Sequence, residues 1–232
     1  MRLPLAMALV ALLAVSASAQ HRTLAAALVP SSTAPAVARD LGEAHAVGEM
    51  LRGAGGRERR WGEPPQLVVI RSVLQFDGVL QKDYAAVAES LAPGDAEEMA
   101  VHMSIGLDVL TGHAFATFAG IRYEDVEPGA RVSVMRPGEI VVARFRGVRQ
   151  ALDAVGYGGR TTRPDGTITS GVVMLDSDYD RANPLRRLLR IHELGHALGY
   201  NHVESRPSIM NPVLGSEPTD FDRRVALLAF AR

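Results

Sequence analysis

The sequence predicts an α/β or α+β domain that follows a differently composed N-terminal stretch. Short runs of apolar and β-branched residues recur along the chain, several of them separated by Pro-Gly turns, as is typical of strands. Segments with apolar residues at helical spacing lie before, between and after these runs. Hydrophobic residues make up 47% of the 232 residues, which is enough to build a buried core.

Each predicted element follows from a local signal. We expect strands at residues 66–73, 121–126, 131–135, 139–146 and 167–175. We expect helices at residues 36–51, 83–110, 184–198 and 220–231, the second of them broken at Pro93-Gly94. The third helix has the clearest start, because Asn183 is a good cap and Pro184 suits the first helical position.

Residues 1–19 have the pattern of a secretory signal. Arg2 provides a positive charge, Leu3 to Val15 form an apolar run, and Ala17-Ser18-Ala19 is typical of a cleavage site. The run is shorter than the roughly 20 residues that span a bilayer. We therefore expect cleavage after Ala19 and a secreted or periplasmic protein. Residues 20–62 are interpreted as a linker or a short pro-segment, and residues 63–232 as the compact domain.

Charge and cysteine content exclude several classes of function. The formal net charge of −1 gives no electrostatic footprint for nucleic acid or for an anionic membrane surface. The absence of cysteine excludes disulfides, zinc sites built from thiolates and a cysteine nucleophile. We expect a monomer that binds neither nucleic acid nor membrane once the signal is removed.

The segment from His192 to His202 carries the strongest chemical signal. His192 and His196 are four residues apart, so on a helix both imidazoles lie on one face and can reach one zinc ion at about 2.0–2.1 Å. Glu193 is rotated by about 100° from His192, so its carboxylate can lie beside the metal without binding it. Gly199 can end the helix and turn the chain back, which lets His202 approach the same metal.

This segment resembles the signature HExxHxxGxxH of the metzincin zinc peptidases, in which a methionine-containing turn follows the third histidine. Ser208-Ile209-Met210-Asn211-Pro212 looks like that turn, and the resemblance is greatest to the matrixins and their bacterial relatives. The resemblance implies a mixed twisted sheet, an active-site helix and a C-terminal helix, with Met210 as an apolar floor beneath the histidines. It also implies that the strand from Gly171 to Leu175 is an edge along which substrate lies.

The residues and the resemblance together predict a zinc-dependent metalloendopeptidase that acts on peptides or proteins. Glu193 is the expected catalytic residue, because its carboxylate can accept a proton from the attacking water. One catalytic zinc ion is expected on the three histidines, and Val213 and Leu214 are candidates for the lining of the specificity pocket. The alternative is an exported zinc-binding protein with the same fold that has a binding or structural role without turnover.

A calcium site is a weaker possibility. Asp176, Asp178 and Asp180 alternate along the chain, but their spacing does not match an EF-hand loop. We interpret them as a solvated acidic loop with helix-capping character, and the sequence gives calcium no further support.

Overall fold

The computed structural model describes residues 34–52 and 59–231, except for the side chains of residues 34–40, and the predicted signal at residues 1–19 lies outside this part. The strands are β1 (Gln66–Ile70), β2 (Ser72–Gln75), β3 (Asp83–Ser90), β4 (Gly120–Glu124), β5 (Arg131–Ser133), β6 (Glu139–Arg146), β7 (Gly156–Thr162) and β8 (Ile168–Asp176). The helices are α1 (Ala34–Leu51), α2 (Asp95–Leu110), α3 (Val148–Leu152), α4 (Ser177–Ala182), α5 (Arg186–Leu198) and α6 (Asp220–Phe230). None of these helices is both long and apolar enough to cross a membrane.

The described strands form one curled, mixed sheet around β6. β1 and β2 follow each other along one side of β6 and β8 lies along the other side, all three parallel to it. β4 extends the sheet parallel to β1, whereas β7 is antiparallel to β8 and forms an edge. β3 and β5 continue from β2 as antiparallel strands. The predicted class, a mixed sheet with helices, is confirmed at this level.

Two apolar layers cover the two faces of the sheet, because successive residues of a strand point to opposite sides. In β1, Leu67 and Val69 face the layer that contains α1, α2, α5 and α6, whereas Val68 and Ile70 face the layer closed by β3 and β5. β1, β6 and β8 are buried on both faces. Their sequences are therefore apolar runs with little alternation, as expected for parallel strands inside a sheet.

The helix predicted at residues 83–110 is wrong over its first part. Asp83–Ser90 forms β3, and Pro93-Gly94 precedes the start of α2. The alanine-rich composition of this stretch favours a helix locally, but pairing with β2 and β5 places Tyr84 and Ala86 in an apolar layer. The strand predicted at residues 66–73 is two strands, which meet at Arg71.

Three further elements, β7, α3 and α4, have no counterpart in the sequence prediction. β7 contains Gly156, Gly158 and Gly159, and glycine weakens the pattern by which a strand is identified. The ends of the other predicted helices and strands agree with the structure to within a few residues, which is the usual uncertainty in the boundaries of such elements. The predicted start of α5 is wrong, because Asn183 ends α4 and Leu185 is the residue that precedes α5. Asn183 Oδ1 accepts a hydrogen bond from the Leu185 amide at 2.8 Å, which forms a turn ahead of the helix.

Helix α1 packs in the same core as the rest of the chain. Ala46 and Met50 are fully buried, and the helix contacts α6. Trp61 is also buried, and its indole N–H donates to the carbonyl of Ala197 at 3.0 Å. Part of the segment interpreted as a linker or pro-segment therefore contributes to the packed core.

Candidate metal centre

Helix α5 brings His192 and His196 to one face, and the end of the helix follows from Gly199. Gly199 has a φ of 122°, and the Tyr200 amide donates back to the Gly195 carbonyl at 3.0 Å, which closes the last turn. A side chain at residue 199 would also collide with the carbonyl oxygen of Arg59. Only glycine satisfies both the backbone conformation and this close approach.

The chain then returns so that His202 lies beside the two helical histidines. Nε2 of His202 is 3.1 Å from Nε2 of His196 and 3.3 Å from Nε2 of His192. Two nitrogens bound to one tetrahedral zinc ion at 2.0–2.1 Å are about 3.3 Å apart. Among the side chains that the structure describes, these three form the one group of three metal-ligating residues that could hold an ion.

The hydrogen bonds of the rings show that a cation fits this site. Nδ1 of His192 donates to the Ile209 carbonyl at 2.7 Å, and Nδ1 of His196 donates to the Tyr200 carbonyl at 2.9 Å. In the neutral rings Nε2 is then an acceptor, and His202 could donate a proton to only one of these two acceptors. Hydrogen bonds among the three rings therefore cannot satisfy all of them, whereas a metal ion can.

Burial keeps the rings in the form that binds metal. It lowers the pKa of His192 to about 4, against the opposing effect of the Ile209 carbonyl. Burial also lowers the pKa of His196 well below its usual value, and it lowers the pKa of His202. The imidazoles are therefore uncharged at neutral pH, as metal binding requires.

Glu193 lies between helix α5 and the edge strand β7. Burial raises the pKa of its carboxyl group to about 8, and a hydrogen bond from the Gly158 backbone opposes this shift. β7 lies so close that a Cβ atom at Gly156 would be 2.7 Å from the Glu193 carboxylate, and one at Gly158 would overlap the Glu193 carbonyl. The glycines of β7 are therefore what permits the strand to approach the helix.

Met210 packs beneath this helix at Gly195. Met210 is fully buried, and a Cβ atom at residue 195 would overlap its sulfur. The turn that carries Met210 is held by the buried Asp222 of α6, whose Oδ2 accepts a hydrogen bond from the Ile209 amide at 3.1 Å. Because the Ile209 carbonyl in turn orients His192, α6 is linked to the metal centre.

Sequence reasoning missed Asp222 and Arg160 as residues that support the site. For Asp222 a signal exists, since Thr219 and Asp222 form a capping box at the start of α6. For Arg160 the sequence offers no local signal. Its guanidinium donates to the carbonyl of His196 at 2.6 Å across 36 residues, and this contact depends on the placement of β7.

A cavity of about 670 Å³ opens over the three histidines and Glu193. Leu214, one of the two predicted pocket residues, lines it together with Leu189 and Tyr179. The other, Val213, is 81% exposed and lies outside this cavity, because its side chain points to solvent.

The prediction that Gly171 to Leu175 form an edge strand is wrong. This segment belongs to β8, which is paired with β6 on one side and with β7 on the other, so its backbone is not free. The edge beside the metal centre is β7. The edge was predicted on β8 because the glycine-rich sequence of β7 gives no clear strand signal.

The interpretation of the three aspartates as a solvated loop is also wrong in part. Asp176 caps α4 through a hydrogen bond from the Tyr179 amide at 3.1 Å. Asp180 is fully buried and pairs with Arg144 at 2.7 Å and with Arg190 at 2.8 Å. Only Asp178 is exposed, so the three carboxylates do not converge on a common ion.

No protein-family model matches this chain, and no curated protein sequence matches it either.

Proposed function

We propose that the protein is a zinc-dependent metalloendopeptidase that resembles the metzincins, most closely the matrixin type. One observation carries the proposal: Nε2 of His202 lies at the spacing of zinc ligands from Nε2 of both helical histidines, and a glutamate lies beside the three rings in the same cavity. The sequence HExxHxxGxxH and the buried methionine below it support the same assignment.

Zinc suits this donor set better than calcium or magnesium does. Three neutral imidazoles are typical ligands of zinc, whereas calcium and magnesium prefer oxygen donors. His192, His196 and His202 would hold the ion, and three protein ligands leave one coordination position for a water molecule or substrate. Zinc bound there supplies Lewis-acid polarisation of a peptide carbonyl and lowers the pKa of a water molecule to about 7.

Glu193 is the residue of the chain that moves protons in this proposal. A bound cation would oppose the effect of burial on the pKa of Glu193 and favour its ionised form. That carboxylate accepts a proton from the attacking water and then delivers it to the nitrogen of the leaving amine. Glu193 lines the cavity and is otherwise buried, so its side chain has little contact with bulk solvent. A purely structural zinc site would give no reason for a carboxyl group to be buried at this position.

The substrate is proposed to be an extended peptide that adds to the edge strand β7. β7 pairs with β8 along one side, and no described strand pairs with the other. Backbone hydrogen bonds to such an edge bind a peptide without regard to its sequence. We further propose that the protein is secreted or periplasmic, on the basis of the sequence of residues 1–19, and that it acts as a monomer.

A peptide-library digest tests the proposal. The purified protein is incubated with the library in zinc, in zinc with an excess of chelator, and after zinc is restored, and new N-termini are counted by mass spectrometry. We expect cleavage that the chelator abolishes and that zinc restores. Uncleaved peptides in the presence of bound zinc would favour the alternative of a zinc-binding protein without turnover.

A further inference from the structure

The loop that carries His202 is hydrogen-bonded to the N-terminal helix α1. The backbone amide of Asn201 donates to the Met50 carbonyl at 2.9 Å, and the Asn201 side-chain nitrogen donates to the same oxygen at 3.2 Å. Met50 is in the last turn of α1, where carbonyl groups have no partner within the helix. Asn201 therefore satisfies the end of α1 and is at the same time the residue that precedes a metal ligand.

The opposite side of Asn201 is held by β7. Arg160 donates to the Asn201 side-chain oxygen at 3.2 Å and, from its other terminal nitrogen, to the His196 carbonyl at 2.6 Å. The planar guanidinium can span both acceptors at once. A cation at this position also interacts favourably with the C-terminal end of helix α5. Arg160 thus ties the last turn of α5 to the start of the ligand loop.

Further contacts join α1 to the rest of this loop and to α6. Ser205 donates to Glu49, and Arg206 pairs with Glu43 at 3.7 Å. Glu43 also pairs with Arg224 of α6 at 2.8 Å. These ion pairs are partly exposed and individually weak. Together with the buried Met50 they place α1 along the length of the loop.

We propose that α1 and Arg160 form a clamp on Asn201 that positions His202, so that α1 belongs to the working metal site and is not a removable pro-segment. His192 and His196 are fixed by helix α5, whereas His202 lies outside it and depends on the loop for its position. Asn201 and Arg160 are positioning residues, because they act through His202 and neither lines the cavity over the histidines. The inference rests on the proposed zinc site.

Hydrogen exchange of the full chain tests the link to α1. If α1 holds the loop in its zinc-binding position, zinc must in turn hold α1, because coupling between two sites is reciprocal. We expect zinc to slow amide exchange in residues 41–51, which contain no proposed ligand, and to leave β3 unchanged as the internal control. Equal exchange of residues 41–51 with and without zinc would overturn the proposal.

Zinc affinity tests the positioning residues without reference to peptidase activity. Zinc dissociation constants are measured by competition with a chromophoric chelator for Asn201→Leu, for Arg160→Met and for the control Arg163→Met, an exposed arginine just beyond the same strand. We expect each of the first two to weaken zinc binding by about 10-fold to 100-fold and the control to bind like the wild type. Thermal unfolding of each metal-free variant identifies any that is simply unfolded.

The outcomes separate the two proposals. A wild-type protein that binds no zinc contradicts the proposed function. A wild-type protein that binds zinc while Asn201→Leu and Arg160→Met, both folded, bind it equally well overturns the clamp alone.

Discussion

The sulfur of Met210 lies directly against the α-carbon of Gly195, with no room for a β-carbon between them. Gly195 is in the turn of helix α5 between His192 and His196, and Met210 follows Ile209, whose carbonyl orients the His192 ring. The contact therefore sets the depth at which the methionine turn lies beneath the histidines. It is a packing constraint on the metal centre.

Gly195→Ala should lower the free energy of unfolding. Overpacking of a core typically costs about 1–3 kcal/mol, whereas alanine in place of glycine inside a helix gains at most about 1 kcal/mol. Urea unfolding measures the difference. Gly48→Ala is the matched control, since Gly48 also lies inside a helix and a β-carbon there meets no atom within 4 Å. A Gly195→Ala protein as stable as the control would contradict this description of the contact.

Removal of metal should leave the fold intact. The two apolar layers and the Asp222 contacts to the methionine turn do not depend on an ion. We expect the chelated protein to keep its circular dichroism spectrum. We also expect Tm to rise with zinc concentration, because a ligand that binds only the native state stabilises it. In His202→Ala the rise should be much smaller. Complete unfolding on chelation would instead identify the ion as a structural staple.

Asp180→Asn should strongly destabilise the protein. The Asp180 carboxylate is fully buried between Arg144 and Arg190. Removal of its charge leaves each buried guanidinium group with one remaining carboxylate, Asp95 for Arg144 and Glu98 for Arg190. We therefore expect a cost at the lower end of the range for a broken buried ion pair, about 3 kcal/mol. Asp178→Asn is the control, because this exposed neighbour lies outside the ion-pair network and its substitution should change stability by less than about 0.5 kcal/mol. Similar unfolding midpoints for both variants would be evidence against this role.

Stability should depend on pH through Glu124. Two hydrogen bonds from Arg136, both 2.8 Å long, hold the pKa of the Glu124 carboxyl below its ordinary value of 4.5. A depressed carboxyl pKa stabilises the folded state above the unfolded-state pKa, and this contribution is lost as the pH falls through the folded-state value.

The matching experiment compares Glu124→Gln with the wild type across the acidic range. We expect the variant to be less stable by about 1 kcal/mol at pH 7, and the difference to close as the pH falls below 4.5. Glu127→Gln, which alters an exposed glutamate close by in the chain, should show no such trend. A stability gap that is the same at pH 3 and pH 7 would disagree with the assigned ion pair.

Local signals predicted much of the helical part of the site. The spacing of His192 and His196 and the position of Gly199 are sufficient to place a helix and its end, because capping and helical periodicity act over a few residues. The third histidine follows from the same turn. These features could be predicted since each depends on neighbours in the sequence.

What could not be predicted depends on pairing across long distances. β3 has a helix-like composition, and only its partners β2 and β5 make it a strand. β7 is rich in glycine because it approaches helix α5, and a single sequence does not reveal that neighbour. Because β7 was not predicted, the edge strand was wrongly assigned to β8. The contact of Arg160 with the end of helix α5 could not be predicted for the same reason. Long-range pairs such as Asn201 with Met50 become visible only in three dimensions.

The role of Glu193 as the proton acceptor is tested by the rate at which the zinc-loaded Glu193→Gln protein cleaves an unfolded protein substrate, relative to the zinc-loaded wild type. The amide keeps the size of the side chain but cannot accept a proton. We expect both proteins to hold one zinc ion and the Glu193→Gln protein to cleave the substrate about 10²-fold to 10⁴-fold more slowly. Equal cleavage rates, with zinc bound in both proteins, would contradict it.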